Sequence, residues 1–103
     1  MTSMSKGYWI VRIDVSDADG FAAYPTATPP AVAKYGGRFV VRGGRFELRE
    51  GSTRSRHTIV EFPSYEAAVA CYDSVEYQQA RELRLGSATA DFVIIEGYDG
   101  PQP

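Results

Sequence analysis

The segment Tyr8 to Val15 constrains the fold of this chain more than any other. Side chains of an extended strand alternate between two faces. Trp9, Val11, Ile13 and Val15 therefore point one way, and Tyr8, Ile10, Arg12 and Asp14 the other. The wholly apolar set calls for a cover of helices, whereas the mixed set faces something else.

Three further strands are expected. Arg38 to Arg42 carries Phe39 and Val41 on one face and Arg38, Val40 and Arg42 on the other. Gly43 and Gly44 mark a bulge or bend, after which Arg45 to Arg49 continues as a ribbon and residues 51–56 form a polar loop. His57 to Phe62 sets Thr58, Val60 and Phe62 opposite His57, Ile59 and Glu61, and Asp91 to Glu96 is the last strand.

Two helical regions separate the strands. Asp17 and Asp19 suit the start of the first. Pro25, Pro29 and Pro30 cannot share one straight helix, because each removes an amide donor and clashes with the preceding turn. The expectation is a short turn around Phe21 to Tyr24, then a restart capped by Thr28 that runs to Tyr35 and stops at Gly36. Ser64 caps the second region, where Ala67, Ala68, Ala70 and Cys71 make a thin helix; Ser74 caps a continuation from Val75 to Leu85 that Gly86 ends. The order β-α-β-β-α-β is the split βαβ arrangement of an α+β, ferredoxin-like protomer. It occupies residues 7–97, after a flexible start over residues 1–6 and before a Pro-rich tail over residues 98–103.

With 103 residues, 44% of them apolar and 23% charged, the chain has the balance of one globular domain. A formal charge of −2 exerts no general pull on nucleic acid or anionic membrane, and no segment approaches the roughly 20 apolar residues of a membrane span. Cys71 and His57 are each the only residue of their kind, which leaves no disulfide within one chain and almost no zinc ligands. Neither a metal nor a tightly held cofactor is expected. Met1 to Lys6 lack the apolar stretch of a signal peptide, so the expected location is cytoplasmic.

A ferredoxin-like fold leaves one sheet face bare. Here that face is expected to carry Tyr8, Ile10, Arg12, Arg38, Val40, Arg42, His57, Ile59 and Glu61, too apolar for open exposure yet unlike an ordinary core. Two copies facing each other bury it and pair Glu61 or Asp14 with the arginines. The expected assembly is a homodimer in which two protomers close a dimeric α/β barrel.

Several spaced segments then resemble a known family. They are Gly36-Gly37-Arg38-Phe39-Val40-Val41-Arg42-Gly43-Gly44, Glu50-Gly51, and Val60-Glu61-Phe62-Pro63-Ser64-Tyr65-Glu66-Ala67-Ala68. Tyr72-Asp73-Ser74-Val75-Glu76-Tyr77-Gln78 follows, with Arg81, Arg84, Asp91 and Glu96-Gly97 in order. From about Gly7 to Gly97 the chain is similar to the "domain of unknown function 1330" family of dimeric α/β-barrel proteins. The resemblance implies a ferredoxin-like protomer and a homodimeric barrel. It implies no particular reaction: the wider superfamily includes cofactor-free monooxygenases, small-molecule isomerases, haem-dependent enzymes and barrels without known catalysis. Two departures stand out, Cys71 where members usually carry tryptophan and Ser74-Val75-Glu76-Tyr77 where they commonly have Ser-Pro-Glu-Tyr.

Three sets of residues are candidates for chemistry. His57 alone has an ordinary pKa near neutrality and is the candidate general acid or base, or else a strand-start histidine at the barrel rim with one structural hydrogen bond. Arginines crowd into residues 38–56, where they can grip an anion or form interface ion pairs. Tyr24, Tyr72, Tyr77 and Arg84 can line a cleft between helices and sheet for a ring-bearing or carboxylate ligand, or simply cap a thin helix layer. Cys71 reads as a buried structural thiol. The leading expectation is a homodimer binding, and possibly transforming, a small organic anionic or aromatic molecule; the alternative is a non-catalytic dimerisation or protein-interaction module.

Overall fold

The computed structural model describes residues 5–103; of the start expected over residues 1–6, the first four lie outside them. β1 (Gly7–Val15) runs through the middle of a four-stranded antiparallel sheet, between β3 (Arg56–Phe62) and β4 (Ala88–Glu96). β2 (Arg38–Arg42) lies beyond β3, giving the order β2-β3-β1-β4 of a ferredoxin-like fold. All four helical segments, α1 (Ala18–Phe21), α2 (Tyr24–Lys34), α3 (Tyr65–Asp73) and α4 (Val75–Glu82), supply the cover that β1 demands.

The alternation of β1 and β3 decides where the core forms. Trp9, Val11, Ile13, Val60 and Phe62 are buried together with Val32, Ala68, Cys71 and Tyr77. Trp9 is the hub: its ring centroid lies 5.0 Å from Phe62, 4.9 Å from Tyr77 and 5.0 Å from Phe92. Its Nε1 donates to the Ala68 carbonyl at 2.9 Å, which the absence of bulk at Ala68 permits. The two serine caps are in place, whereas Asp17 precedes α1 without a capping side-chain bond. Ser64 Oγ accepts from the Ala67 amide at 3.0 Å and Ser74 Oγ from the Tyr77 amide at 3.1 Å, each satisfying a first-turn donor. Gly36 adopts the left-handed conformation expected after α2, with φ of +75°.

Elsewhere the structure corrects the expectation. The first helical region is not broken at Thr28; α2 runs from Tyr24 to Lys34 with Pro29 and Pro30 inside it. Thr28 is buried mid-helix and its Oγ1 donates to the Tyr24 carbonyl at 2.9 Å rather than capping. A proline in a helix leaves the carbonyl four residues earlier without its donor. For Pro29 that carbonyl belongs to Pro25, and Arg42 Nη2 donates to it at 2.8 Å. The ribbon expected over Arg45 to Arg49 is irregular chain, α4 ends at Glu82, and β4 begins at Ala88.

The largest correction is in β2. Phe39 pairs with Val60, but Val41 pairs with Ile59 and Arg42 with Thr58, so the irregularity falls at Val40 rather than at Gly43-Gly44. One extra residue moves every later side chain to the other face. Val41 joins the bare face, and Arg42, expected there, joins the helix side.

Candidate functional site

Beneath α1 and α2 the helix side of the sheet leaves a cleft of about 220 Å³. Trp9, Val11, Ile13 and Val60 supply its sheet wall, and Phe21, Tyr24 and Thr28 its helical wall. Arg42 and Arg56 also line it, and both are exposed, which places them at its rim. The Arg42 guanidinium carbon stands 4.3 Å from the Phe39 ring centroid, and that of Arg56 5.2 Å from the Phe21 ring centroid, so each is held flat against an aromatic wall. Neither forms an ion pair among the described residues, and no carboxylate, lysine or histidine lines the cleft.

Of the candidates from sequence, Tyr24 lies in the cleft wall and two others stand behind it. The Tyr24 and Tyr77 hydroxyls are 2.8 Å apart, and Arg84 Nη2 donates to the Tyr77 oxygen at 3.4 Å. Arg84 is 6% exposed and its Nε has no partner among the described residues. A guanidinium only donates, so the Tyr77 oxygen must accept. Either hydroxyl can donate in the Tyr24–Tyr77 bond, because the Tyr77 oxygen has a second lone pair beside the one that accepts from Arg84. Burial first, and then the neighbouring Tyr24, hold the Tyr77 phenol well above its ordinary pKa, keeping it protonated. Tyr72 is not in the cleft; its ring packs 5.2 Å from Tyr77 and 4.9 Å from Phe92.

His57 is on the opposite face. It pairs with Arg12 across the β1–β3 ladder, its ring lies 4.4 Å from Phe46, and its Nε2 has no partner among the described residues. The structure does not bring His57 together with Tyr24, Tyr77 or Arg84. Cys71 is fully buried with Sγ 3.5 Å from the Ala31 carbonyl oxygen, and burial pushes its thiol up to about 12, which leaves no nucleophilic thiolate at neutral pH.

The bare face holds most of its charges within the chain, Arg12 being without an acidic partner among the described residues. Tyr8 donates to Glu61 Oε2 at 3.0 Å and Arg38 Nε to Oε1 at 3.1 Å, and these bonds, Arg38 first, hold the Glu61 carboxyl below its usual range. Arg54 bridges Asp14 at 3.0 Å and Asp91 at 2.9 Å. Between these groups runs an apolar row in register across all four strands: Val41, Ile59, Ile10 and Val93. Val41 is 36% exposed, Val93 46%, and Ile95 beside them 48%.

Sequence reasoning missed five of these placements, one of them Val41, which the bulge turns to the bare face. Arg56 continues the period of Thr58, Val60 and Phe62, so alternation alone points it at the cleft. Arg42 carries no such signal, because the bulge reverses its face. Val93 and Ile95 sit in the run Phe92-Val93-Ile94-Ile95, where uniform polarity hides the two sides.

The family model described as "Domain of unknown function (DUF1330)" matches residues 6–98. The chain belongs to this family. No curated protein matches it in sequence. Among solved structures, a protein of unknown function from Rhodopseudomonas palustris superposes with a TM-score of 0.70 at 20% identity, covering 93% of this chain and 85% of that one. A dimeric ferredoxin-like protein of unknown function from Thermobifida fusca gives 0.65 at 14%, covering 93% and 94%. SnoaB, a cofactor-independent oxygenase from Streptomyces nogalater, gives 0.61 at 14%, covering 96% of both. At these identities the likeness shows that the DUF1330 chain shares their ferredoxin-like fold. No helix among the described residues is long and apolar enough to cross a membrane, and no group of three or more His, Cys, Asp or Glu among them is placed to hold a metal ion.

Proposed function

We propose that this DUF1330 protein is a homodimer that binds a small organic molecule, anionic or aromatic, in the cleft of each protomer. The observation that carries the reading is the cleft itself: an apolar space of about 220 Å³ between sheet and helices, edged by two guanidiniums without acidic partners. Apolar walls with a few convergent polar groups are the ordinary composition of a small-molecule site. Its groups able to exchange a proton are the Tyr24 phenol and two threonine hydroxyls, with no nucleophile beside a base. Binding is therefore the activity we assign. A cofactor-independent oxygenase on the same fold supports the choice of a small-molecule ligand by analogy of fold.

The row Val41, Ile59, Ile10 and Val93 supports the homodimer, because a second copy laid on it removes a contiguous apolar surface from water. The dimeric Thermobifida fusca neighbour supports the same assembly.

Trp9 is the only tryptophan and lines the cleft, which makes its fluorescence a direct reporter. Titration with a panel of single-ring acids, amides and alcohols is expected to give saturable changes for some members. Thr58→Phe, which grows a ring from the sheet wall into the cleft, is expected to abolish them. Responses that persist in Thr58→Phe, or no response to any member, would overturn the cleft as the binding site.

A further inference from the structure

We infer that the ligand of this cleft is a ring-bearing carboxylic acid, seated with its apolar body against Trp9 and Val60 and its carboxylate at the rim between Arg42 and Arg56. The inference rests on the cleft being the binding site and adds the class and orientation of what enters it.

The first argument is charge. Arg38, Arg49 and Arg54 each have a carboxylate partner; Arg42 and Arg56, the two arginines that line the cleft, have none among the described residues, as is true of Arg12, Arg45, Arg81 and Arg84, which do not line it. An anion arriving at this rim meets two positive charges and no competing acid. The second argument is the set of donors still free. Arg42 commits Nη2 to the Pro25 carbonyl, and the Arg56 guanidinium forms no hydrogen bond to protein among the described residues. A guanidinium presents its remaining N–H groups in a planar fork that matches a carboxylate.

The third argument is that the interior offers a polar group little. Thr28 donates its hydroxyl proton to the Tyr24 carbonyl, the Tyr24 oxygen already faces Tyr77, and the interior walls are otherwise apolar apart from the Thr58 hydroxyl. A ligand charged at its inner end would lose its hydration without compensation. A charged end at the rim and an apolar ring inside satisfy both regions.

Arg42 is also positioned by the backbone rather than by chance. The bulge at Val40 turns it to this face, and the carbonyl released by Pro29 anchors it there. Two irregularities distant in sequence thus converge on one guanidinium.

The test compares phenylacetate with its neutral isostere phenylacetamide, each titrated into the full-length protein and followed by amide chemical shifts at Thr28, Phe39 and Thr58. Phenylacetate is expected to bind about tenfold or more tightly than the amide, the difference shrinking as salt is raised. Arg56→Gln, which removes no side-chain bond to the protein itself, is expected to shrink the difference by weakening phenylacetate more than the amide. Arg42→Lys keeps the charge and loses the fork, and is expected to weaken phenylacetate more than phenylacetamide. Equal affinity for acid and amide would overturn the inference and leave the cleft as a site for neutral rings. Shifts confined to other parts of the protein, or none at all with either compound, would overturn it together with the reading of the cleft as a site for ring compounds.

Discussion

Thr58 and Ile59 are consecutive residues of β3, yet they belong to surfaces with opposite tasks. Thr58 looks into the cleft beneath the helices, and Ile59 looks out from the centre of the bare sheet face. On the helix side, the cleft carries charge only at its rim, where two guanidiniums lack acidic partners, and Arg84 lies buried behind the cleft wall. On the bare side, charges flank an apolar row, and Arg38 pairs with Glu61 and Arg54 with Asp14 and Asp91, while Arg12 has no acidic partner among the described residues. Unpaired charge at an apolar cleft is the basis of the proposed anionic ligand, whereas the exposed apolar row is the basis of the proposed contact with a second copy. A single bulge in β2 separates the two, by sending Arg42 to one side and Val41 to the other.

The contrast breaks first if the two sides contribute alike to folding. Trp9→Ala empties the hub of the helix-side core and is expected to cost about 3–5 kcal/mol in urea denaturation. Ile59→Ala on the bare face is expected to cost the protomer roughly 1 kcal/mol, with a further loss that grows on dilution because association is coupled to folding. Equal losses, independent of concentration, would erase the distinction. Next in size is Tyr77→Phe, which strips Arg84 of its recorded acceptor and is expected to cost about 1–3 kcal/mol by the same measurement.

Two smaller effects follow from titration. Cys71 is expected to resist a thiol reagent at pH 8 in the folded protein and to react once the chain unfolds. Its folded pKa lies above its ordinary value, so the stabilisation from burying the neutral thiol is complete below about 9 and lost as pH rises towards about 12. Glu61 and Asp14 are held below their ordinary carboxylate values, Glu61 chiefly by Arg38 and Asp14 chiefly by the Ser55 amide. Their contribution is present above the ordinary carboxylate range and fades as pH falls through the lowered values. The decline in melting temperature on acidification is expected to be small, since both groups are in contact with solvent that screens them, and shallower in Glu61→Gln.

What could be read from the amino acids follows where local chemistry is unambiguous. The alternation of β1 and β3, the Ser64 and Ser74 caps and the stop at Gly36 each depend on a few neighbouring residues, and the structure has all of them. The cleft was legible only in part, through Tyr24 and its partners Tyr77 and Arg84. Arg42 was not, because its facing depends on pairing with β3. In the run Phe39-Val40-Val41 nothing distinguishes a regular strand from one with an extra residue. The continuity of α2 through Pro29 and Pro30 was hidden for a similar reason, since the donor that compensates the Pro25 carbonyl comes from Arg42, 17 positions away. Val93 and Ile95 were invisible as surface residues because four successive apolar side chains leave no alternation to read. Misreadings thus concentrate where long-range partners override local pattern.

Sedimentation velocity on three proteins at micromolar concentration tests the division of labour most directly: the natural chain, Thr58→Phe and Ile59→Asp, with circular dichroism to confirm that each is folded. The account predicts twice the chain mass for the natural protein and for Thr58→Phe, and a folded species of single chain mass for Ile59→Asp. A monomeric natural protein, or an Ile59→Asp variant that remains dimeric, would contradict it.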